Sequence, residues 1–548
     1  MTHLRVSTLP ALTLLLLGYV CSVEAQQTFS EPEDWQYFPS MAAITSGSES
    51  PEGIYFSTLD GVIFFDYFNR QLSLEFEINM GLPSRRLHQV YYDLTTNALW
   101  VVHHDGIAFR MPSDDEWRHV PFMALPDNFR GQSVARIGGS FDGIWIDMYG
   151  VYTQLNAFTG DFMRRDIVYP DNPVTWNVSR ADFLDPPSLM GWFTTGEWSA
   201  SINEFLGPGF MTAVPLFVIQ DRDDQVWFGT DLGVLFRGDT FTKQLVAFQA
   251  GIVPKRVITF FLDGDRVWFA DNAFRRQGTQ PASRGGYFLS SFDEQVSTWR
   301  HYSSLASEAI RDVGINDMLR VGRNLWLATM NGIVLLDTKT DEWGAIGVNA
   351  GLRDQAIWDL ERHGQDVFVA TYRGIDIIDP ATRRVVPQDS LSSASPLTEV
   401  YALHSTGDLL YAGTAEGIYE YKRGRAIEWR RVSRLPAISL WGTGEDLYVV
   451  ANNLVFHHGP DDKDFEIMPI LHISEAKILA ISGYGSYIWL ATSQGAVVQD
   501  RTGTRQFIFN RQEGLPSDVV YAVVPTDRWV WFLTKEGVVR FNWSAHFD

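Results

Sequence analysis

Leu325-Trp326-Leu327-Ala328-Thr329-Met330-Asn331-Gly332-Ile333-Val334-Leu335-Leu336-Asp337 is the stretch that decides the fold. An apolar run leads into Ala-Thr, two further residues and Gly, and a second apolar run ends on Asp. Short apolar runs on either side of a glycine read as two strands of a hairpin rather than as a helix. Gly332 stands where the turn needs a positive φ, which glycine adopts without a Cβ clash.

The pattern returns around Tyr55, Trp100, Trp145, Trp227, Trp268, Phe368, Tyr411, Tyr448, Trp489 and Trp531, mostly about 40 residues apart. A third strand follows a tight polar turn, as at Trp117-Arg118-His119, Trp299-Arg300-His301-Tyr302, Trp343 and Trp429. A fourth precedes the anchor, as at Ile357-Trp358-Asp359-Leu360 and Val520-Tyr521-Ala522-Val523. Four short strands in about 42 residues make one propeller blade. Trp145 and Trp227 lie at twice the usual spacing, and the gap reads as a degenerate blade with Trp192-Phe193-Thr194-Thr195 as its second strand. Inner strands are then expected near Val134, Val174, Leu216 and Val257. The expected architecture is an all-β propeller of about twelve four-stranded blades over residues 26–548. Single rings hold about four to eight blades, so two rings are expected, one inserted into the other, with both termini in the same ring.

Closure follows from the two ends. Val538-Val539-Arg540-Phe541-Asn542 ends the last repeat without an outer strand, while Trp35-Gln36-Tyr37-Phe38 precedes the first with no blade of its own. An open sheet edge invites aggregation. The N-terminal strand is therefore expected to complete the C-terminal blade.

Residues 1–25 read as a signal peptide: Arg5, an apolar run from Leu9 to Val20, and Val23-Glu24-Ala25 before the cleavage point. That run is too short to span a bilayer, and no later stretch is long and apolar enough. The expected location is the periplasm, the cell surface or the exterior. Cys21 is the single cysteine, which leaves the expected mature chain without disulfides, thiolate metal sites or cysteine nucleophiles. A net charge of −22 spread along the chain argues against nucleic acid as a partner.

The run Trp-x-Ala/Gly-Thr-x-x-Gly-Ile/Val with a following Asp resembles the two-component regulator propeller repeat. The turns Gly81-Leu82-Pro83-Ser84 and Gly514-Leu515-Pro516-Ser517 resemble it too. That resemblance implies a periplasmic sensor-type propeller, usually of two seven-blade rings followed by a further β domain, a membrane helix and a kinase. This chain stops at Asp548 with about twelve blades, so transmembrane signalling by this polypeptide alone is not expected. The resemblance is silent on the ligand, because propellers host unrelated functions.

Few residues suggest chemistry. Anchor tryptophans at a fixed repeat position read as core. His103-His104 and His457-His458 suggest a metal, but neighbours on a strand point to opposite faces, so neither pair is expected to chelate one ion. Asp221-Arg222-Asp223-Asp224 and Asp461-Asp462-Lys463-Asp464 are acidic turns without a calcium-loop signature. Between Tyr169 and Phe210, Trp176, Trp192 and Trp198 stand among prolines; they are core if this is a plain blade and a partner-binding surface if it projects. Arg275, Arg276 and Arg284 lie on an insertion and suit bidentate capture of carboxylate or sulfate, against the plainer reading of a solvated loop. No catalytic, cofactor-binding or metal-ligating residue is assigned, and no cofactor is expected. The expected function is non-catalytic recognition or scaffolding, with a protein or glycan as partner. The rival is an enzyme of lyase or quinoprotein type acting at a ring channel. Oligomeric state is not readable from the sequence.

Overall fold

A computed structural model of the chain describes residues 34–547 apart from 39–42, 74–75, 80, 115, 125–132, 164–168, 184, 208–210, 250, 253–256, 272–286, 297, 304–309, 311–313, 387–396, 423–428 and 471–474. The expected signal peptide and the loop bearing Arg275, Arg276 and Arg284 lie outside the described residues. The protein is an all-β propeller. Eleven sheets carry the repeat as blades 1 to 11, spanning residues 44–73, 87–121, 136–155, 215–248, 257–303, 315–346, 357–385, 400–433, 437–468, 478–509 and 520–541. A twelfth, three-stranded sheet lies within residues 199–213.

The repeat's polar residues explain themselves in the turns. Thr329 Oγ1 donates to Gly332 O at 2.7 Å and accepts from Asn331 N at 3.0 Å, stapling the hairpin. Thr58, Thr371, Thr414, Thr492 and Thr534 donate to the corresponding glycine carbonyls in the same way. The closing Asp makes the next turn: Asp337 Oδ1 accepts from Lys339 N and Thr340 N, and Asp66 Oδ1 from Phe68 N and Asn69 N. Such carboxylates satisfy backbone donors that a turn leaves without strand partners.

Apolar residues on both faces of each blade seal it to its neighbours. Trp100, Trp145, Trp227, Trp268, Trp326 and Trp489 are among the largest fully buried side chains, as the fixed repeat position implied. Separate apolar cores join blades 5 to 6, 6 to 7, 7 to 8, 8 to 9, 9 to 10 and 10 to 11. A further core joins blade 11 back to blade 5 through Phe38, Phe260, Phe269 and Trp531. Blades 4, 1, 2 and 3 pack in that order. Trp35–Phe38 pairs antiparallel with the last strand, Trp35 opposite Phe541 and Phe38 opposite Val538, as the two chain ends implied.

Most inner strands end their sheet with one edge unpaired, and in blades 2, 7, 8, 10 and 11 a side chain of the preceding blade bonds that edge. Ser46 Oγ accepts from Val90 N (2.8 Å), Asp317 Oδ2 from Leu360 N (3.0 Å), Asp359 Oδ2 from Leu403 N (2.6 Å) and Ser439 Oγ from Ile481 N (3.2 Å). Asn316 and Ser482 donate to the carbonyls of Ile357 and Val523.

The gap between Trp145 and Trp227 differs from the expected degenerate blade. Thr175–Trp176 pairs with the inner strand of blade 3, and Val178–Ser179 pairs with the inner strand of blade 1. Asn177 between them accepts from Ile137 N (3.0 Å) and donates to Gln89 Oε1 of blade 2 (2.7 Å). The segment is thus a strap across three inner edges. The physical reason is its composition: Pro170, Pro173, Pro186 and Pro187 break any long ladder, while inner edges offer short stretches of unpaired backbone.

Closure makes Trp35 a sensitive position. It is 3% exposed and packs on Phe509, Phe532 and Phe541. Trp35→Ala is expected to cost about 3–5 kcal/mol, read as a lowered midpoint in equilibrium urea unfolding; an unchanged midpoint would contradict the closing role of this strand.

Candidate functional site

Closure brings distant turns together. A cleft of about 1170 Å³ lies where the closing strand meets blades 1, 2 and 11. Tyr37 and Phe38 form its floor, with Ile252 and Val257 from the chain entering blade 5. Both Gly-Leu-Pro-Ser turns line it, through Gly81, Leu82, Pro83 and Ser84 and through Gly514, Leu515 and Pro516. Gly514 is obligatory, with φ of 110° and a Cβ position that would fall 2.8 Å from the Trp35 ring.

The cleft concentrates cations in a strongly acidic protein. Arg85, Arg86, Arg511 and Lys535 line it with His88 and His104, against Asp60, Asp105 and Glu536. Arg85 is the central group. Its guanidinium lies 3.4 Å over the Tyr37 ring and 3.9 Å from Asp60. The side chain is 19% exposed, but Nη2 is sealed and has no hydrogen-bond partner among the described residues. Burial pulls Arg85 below its ordinary value, and Asp60 opposes that. Burial pushes Tyr37 up, so it stays a neutral donor to Gly514 O. Arg86, Arg511 and Lys535 are exposed. The arrangement can take an acidic group on the exposed cations Arg86, Arg511 and Lys535, with the charge of Arg85 behind them.

A second titratable group lies along the inner strands of blades 6 to 8. Asp317 Oδ2 and Asp359 Oδ1 both accept from Leu360 N, at 3.0 and 2.9 Å. Burial, then the neighbouring charge, holds Asp317 protonated, and it donates to Asp359. Glu361, beside them, is pushed up to about 8, first by burial and then by Asp359. His404 pairs with Gly442 O at 2.9 Å. Asp317, Asp359 and His404 are thus occupied in tying one blade to the next.

The other sequence-marked residues fall as follows. Trp198 is buried against Phe236, and Trp192 is partly buried, edge-on to Phe228 beneath Lys243. Trp176 is half-buried below Arg136. Exposure in that segment falls instead on Met190, Phe193, Ile202 and Leu206. Asp221 is buried, accepting from Trp227 Nε1 and from the amides of Asp223 and Gln225, so its oxygens serve the turn. Asp462 caps Gly459 N. His457 and His458 have separate partners, Asp446 and Phe465. His103 and His104 need a correction: His103 ends a strand, but His104 belongs to the turn, so strand alternation does not separate them. One ring nitrogen of each and a carboxylate oxygen of Asp105 lie within 4.8 Å of one another.

The cleft's charged residues Arg85, Arg86, Arg511 and Lys535 were not singled out in the sequence. The available signal was that Ser84-Arg85-Arg86 and Lys535-Glu536 sit at turns in the second and last repeats, which ring closure brings together.

No protein-family model matches the chain, and no curated protein matches it. Solved structures similar to it include an extracellular domain described as that of the hybrid two-component system BT3049 of B. thetaiotaomicron. It is 16% identical, with a TM-score of 0.42, covering 91% of this chain and 68% of that one. The surface component PorZ of the type-IX secretion system of Porphyromonas gingivalis is 10% identical, with a TM-score of 0.38, covering 93% of this chain and 87% of that one. No helix among the described residues is long and apolar enough to cross a membrane.

The channel acids give a pH signature. Glu361 binds a proton in the folded chain up to about pH 8, whereas its ordinary value is 4.5. Stability from this group is therefore complete below pH 4.5 and declines as pH rises toward 8. Denaturation midpoints between pH 5 and 9 are expected to fall more steeply for the wild type than for Glu361→Gln; parallel curves would contradict the assignment.

Proposed function

We propose that this protein is an exported, non-catalytic recognition propeller that binds an acidic ligand in the cleft between blades 1, 2 and 11. The ligand is a carboxylated or sulfated glycan, or an acidic protein segment of similar charge. Blades 5 to 11 form one ring, and blades 1 to 4, inserted between the closing strand and blade 5, form the second unit. The cleft is the seam between them.

One observation carries this reading: in a chain of net charge −22, four basic side chains, Arg85, Arg86, Arg511 and Lys535, line a single cleft. The sensor-type resemblance of the repeat and the apolar run in residues 9–20 support export and recognition. The surrounding negative charge repels anions that do not reach this seam, which gives selectivity by contrast.

The test is a glycan array containing uronic-acid and sulfated oligosaccharides, together with acidic peptides, followed by titration of any hit. Arg86→Glu with Lys535→Glu is expected to weaken binding about tenfold or more, equivalent to roughly 1.4 kcal/mol, and raised salt should weaken wild-type binding. Neutral ligands bound as well as acidic ones, or binding unchanged in the double variant, would overturn the proposal.

A further inference from the structure

The hairpin of blade 2 departs from a turn that six other blades share. Where six blades place the stapling threonine, followed by two residues and Gly, blade 2 reads His103-His104-Asp105-Gly106. His103 replaces the staple poorly. Its Nδ1 accepts from Asp105 N at 3.3 Å, longer than the 3.0 Å that Thr58 and Thr329 achieve, and its Nε2 is buried without a hydrogen-bond partner among the described residues. Threonine at the same position makes two bonds of the turn, to the glycine carbonyl and from the backbone N–H, where His103 makes one.

We infer that His103, His104 and Asp105 form a binding site for a borderline divalent transition-metal ion, of which Zn²⁺ is the representative. Their three ligand atoms already lie within 4.8 Å of one another on one tight turn. Asp105 O accepts from Phe122 N at 2.8 Å, which holds the turn in place. Ser84 Oγ lies 3.2 Å from His104 Nδ1. His104 Nε2 lies 2.7 Å from Asp105 Oδ2, so in the absence of an ion Nε2 donates to the carboxylate; an ion bound there displaces that proton, and the ring then keeps its proton on Nδ1, which donates to Ser84 Oγ. Two imidazoles and one carboxylate favour zinc, cobalt, nickel or copper over calcium and magnesium, which prefer all-oxygen sets. Three protein ligands leave one position open. His104 and Asp105 are exposed and line the cleft, so an ion reaches them from solvent. His119, with its ring centroid 5.0 Å from that of His103, is a third imidazole beside the site.

The site stands apart from the anion-binding proposal, since it uses the metal alone as probe. Tag-free, metal-stripped protein is titrated with Zn²⁺ by calorimetry and with Co²⁺ by visible absorption. One equivalent is expected to bind, with the d–d bands of a cobalt–imidazole site. His104→Ala and Asp105→Asn change exposed side chains and should each weaken binding roughly tenfold or more. His103→Thr restores the staple, so it should fold at least as well as the wild type and lose the Co²⁺ spectrum. Absence of a stoichiometric site in the wild type would overturn the inference, as would binding undiminished in both His104→Ala and His103→Thr.

Discussion

A β-sheet has edges, and the contacts between blades are organised by the need to cover the inner ones. The pairing of Trp35–Phe38 with the last strand supplies the outer strand of blade 11. Inner edges are dealt with repeatedly, by Ser, Asp and Asn side chains that reach from one blade to the backbone of its neighbour. An unpaired backbone group removed from water costs about as much as a lost hydrogen bond, so these contacts set how close and in what register adjacent blades sit. The apolar faces then fill the space between them.

That constraint also explains features that look chemical at first sight. Asp317 and Asp359 are buried carboxyls in contact, the kind of pair that elsewhere divides acid and base roles. Here their oxygens hold the amides of Leu360 and Leu403, so edge closure accounts for them. The strap through Asn177 is the same solution in another form: a segment too rich in proline for a blade covers the inner edges of blades 1 and 3. Ten buried side-chain polar atoms have no hydrogen-bond partner among the described residues. Arg85 Nη2 and His103 Nε2 are two of them, both near the seam that closure creates.

Much of this was legible from residue patterns. The Thr-x-x-Gly and Asp signals mark turns because the side chains act on backbone a few residues away. Buried Trp326 and Trp489 were predictable because a fixed place in a two-residue period fixes the face. Pairing of Trp35 with Phe541 was predictable because only one outer strand was missing and only one was spare. The strap was misread because spacing alone suggested another blade, whereas two-residue pairings leave no periodic trace. His103 and His104 were separated on the assumption that both lie in a strand; one residue of difference in where the strand ends reversed that.

Local pattern by itself determined the blades, their turns and the closing strand, because each depends on interactions within a blade or on simple conservation of strand partners. Tertiary structure alone decided which blades share cores, and therefore that Gly81–His88, Arg511–Pro516 and Thr534–Gly537 face one cleft. The physical reason is range. Hydrogen-bonded turns and alternating strands are written over a few residues, while a seam between blades more than 400 positions apart depends on the whole ring closing and leaves no mark on any short stretch of sequence.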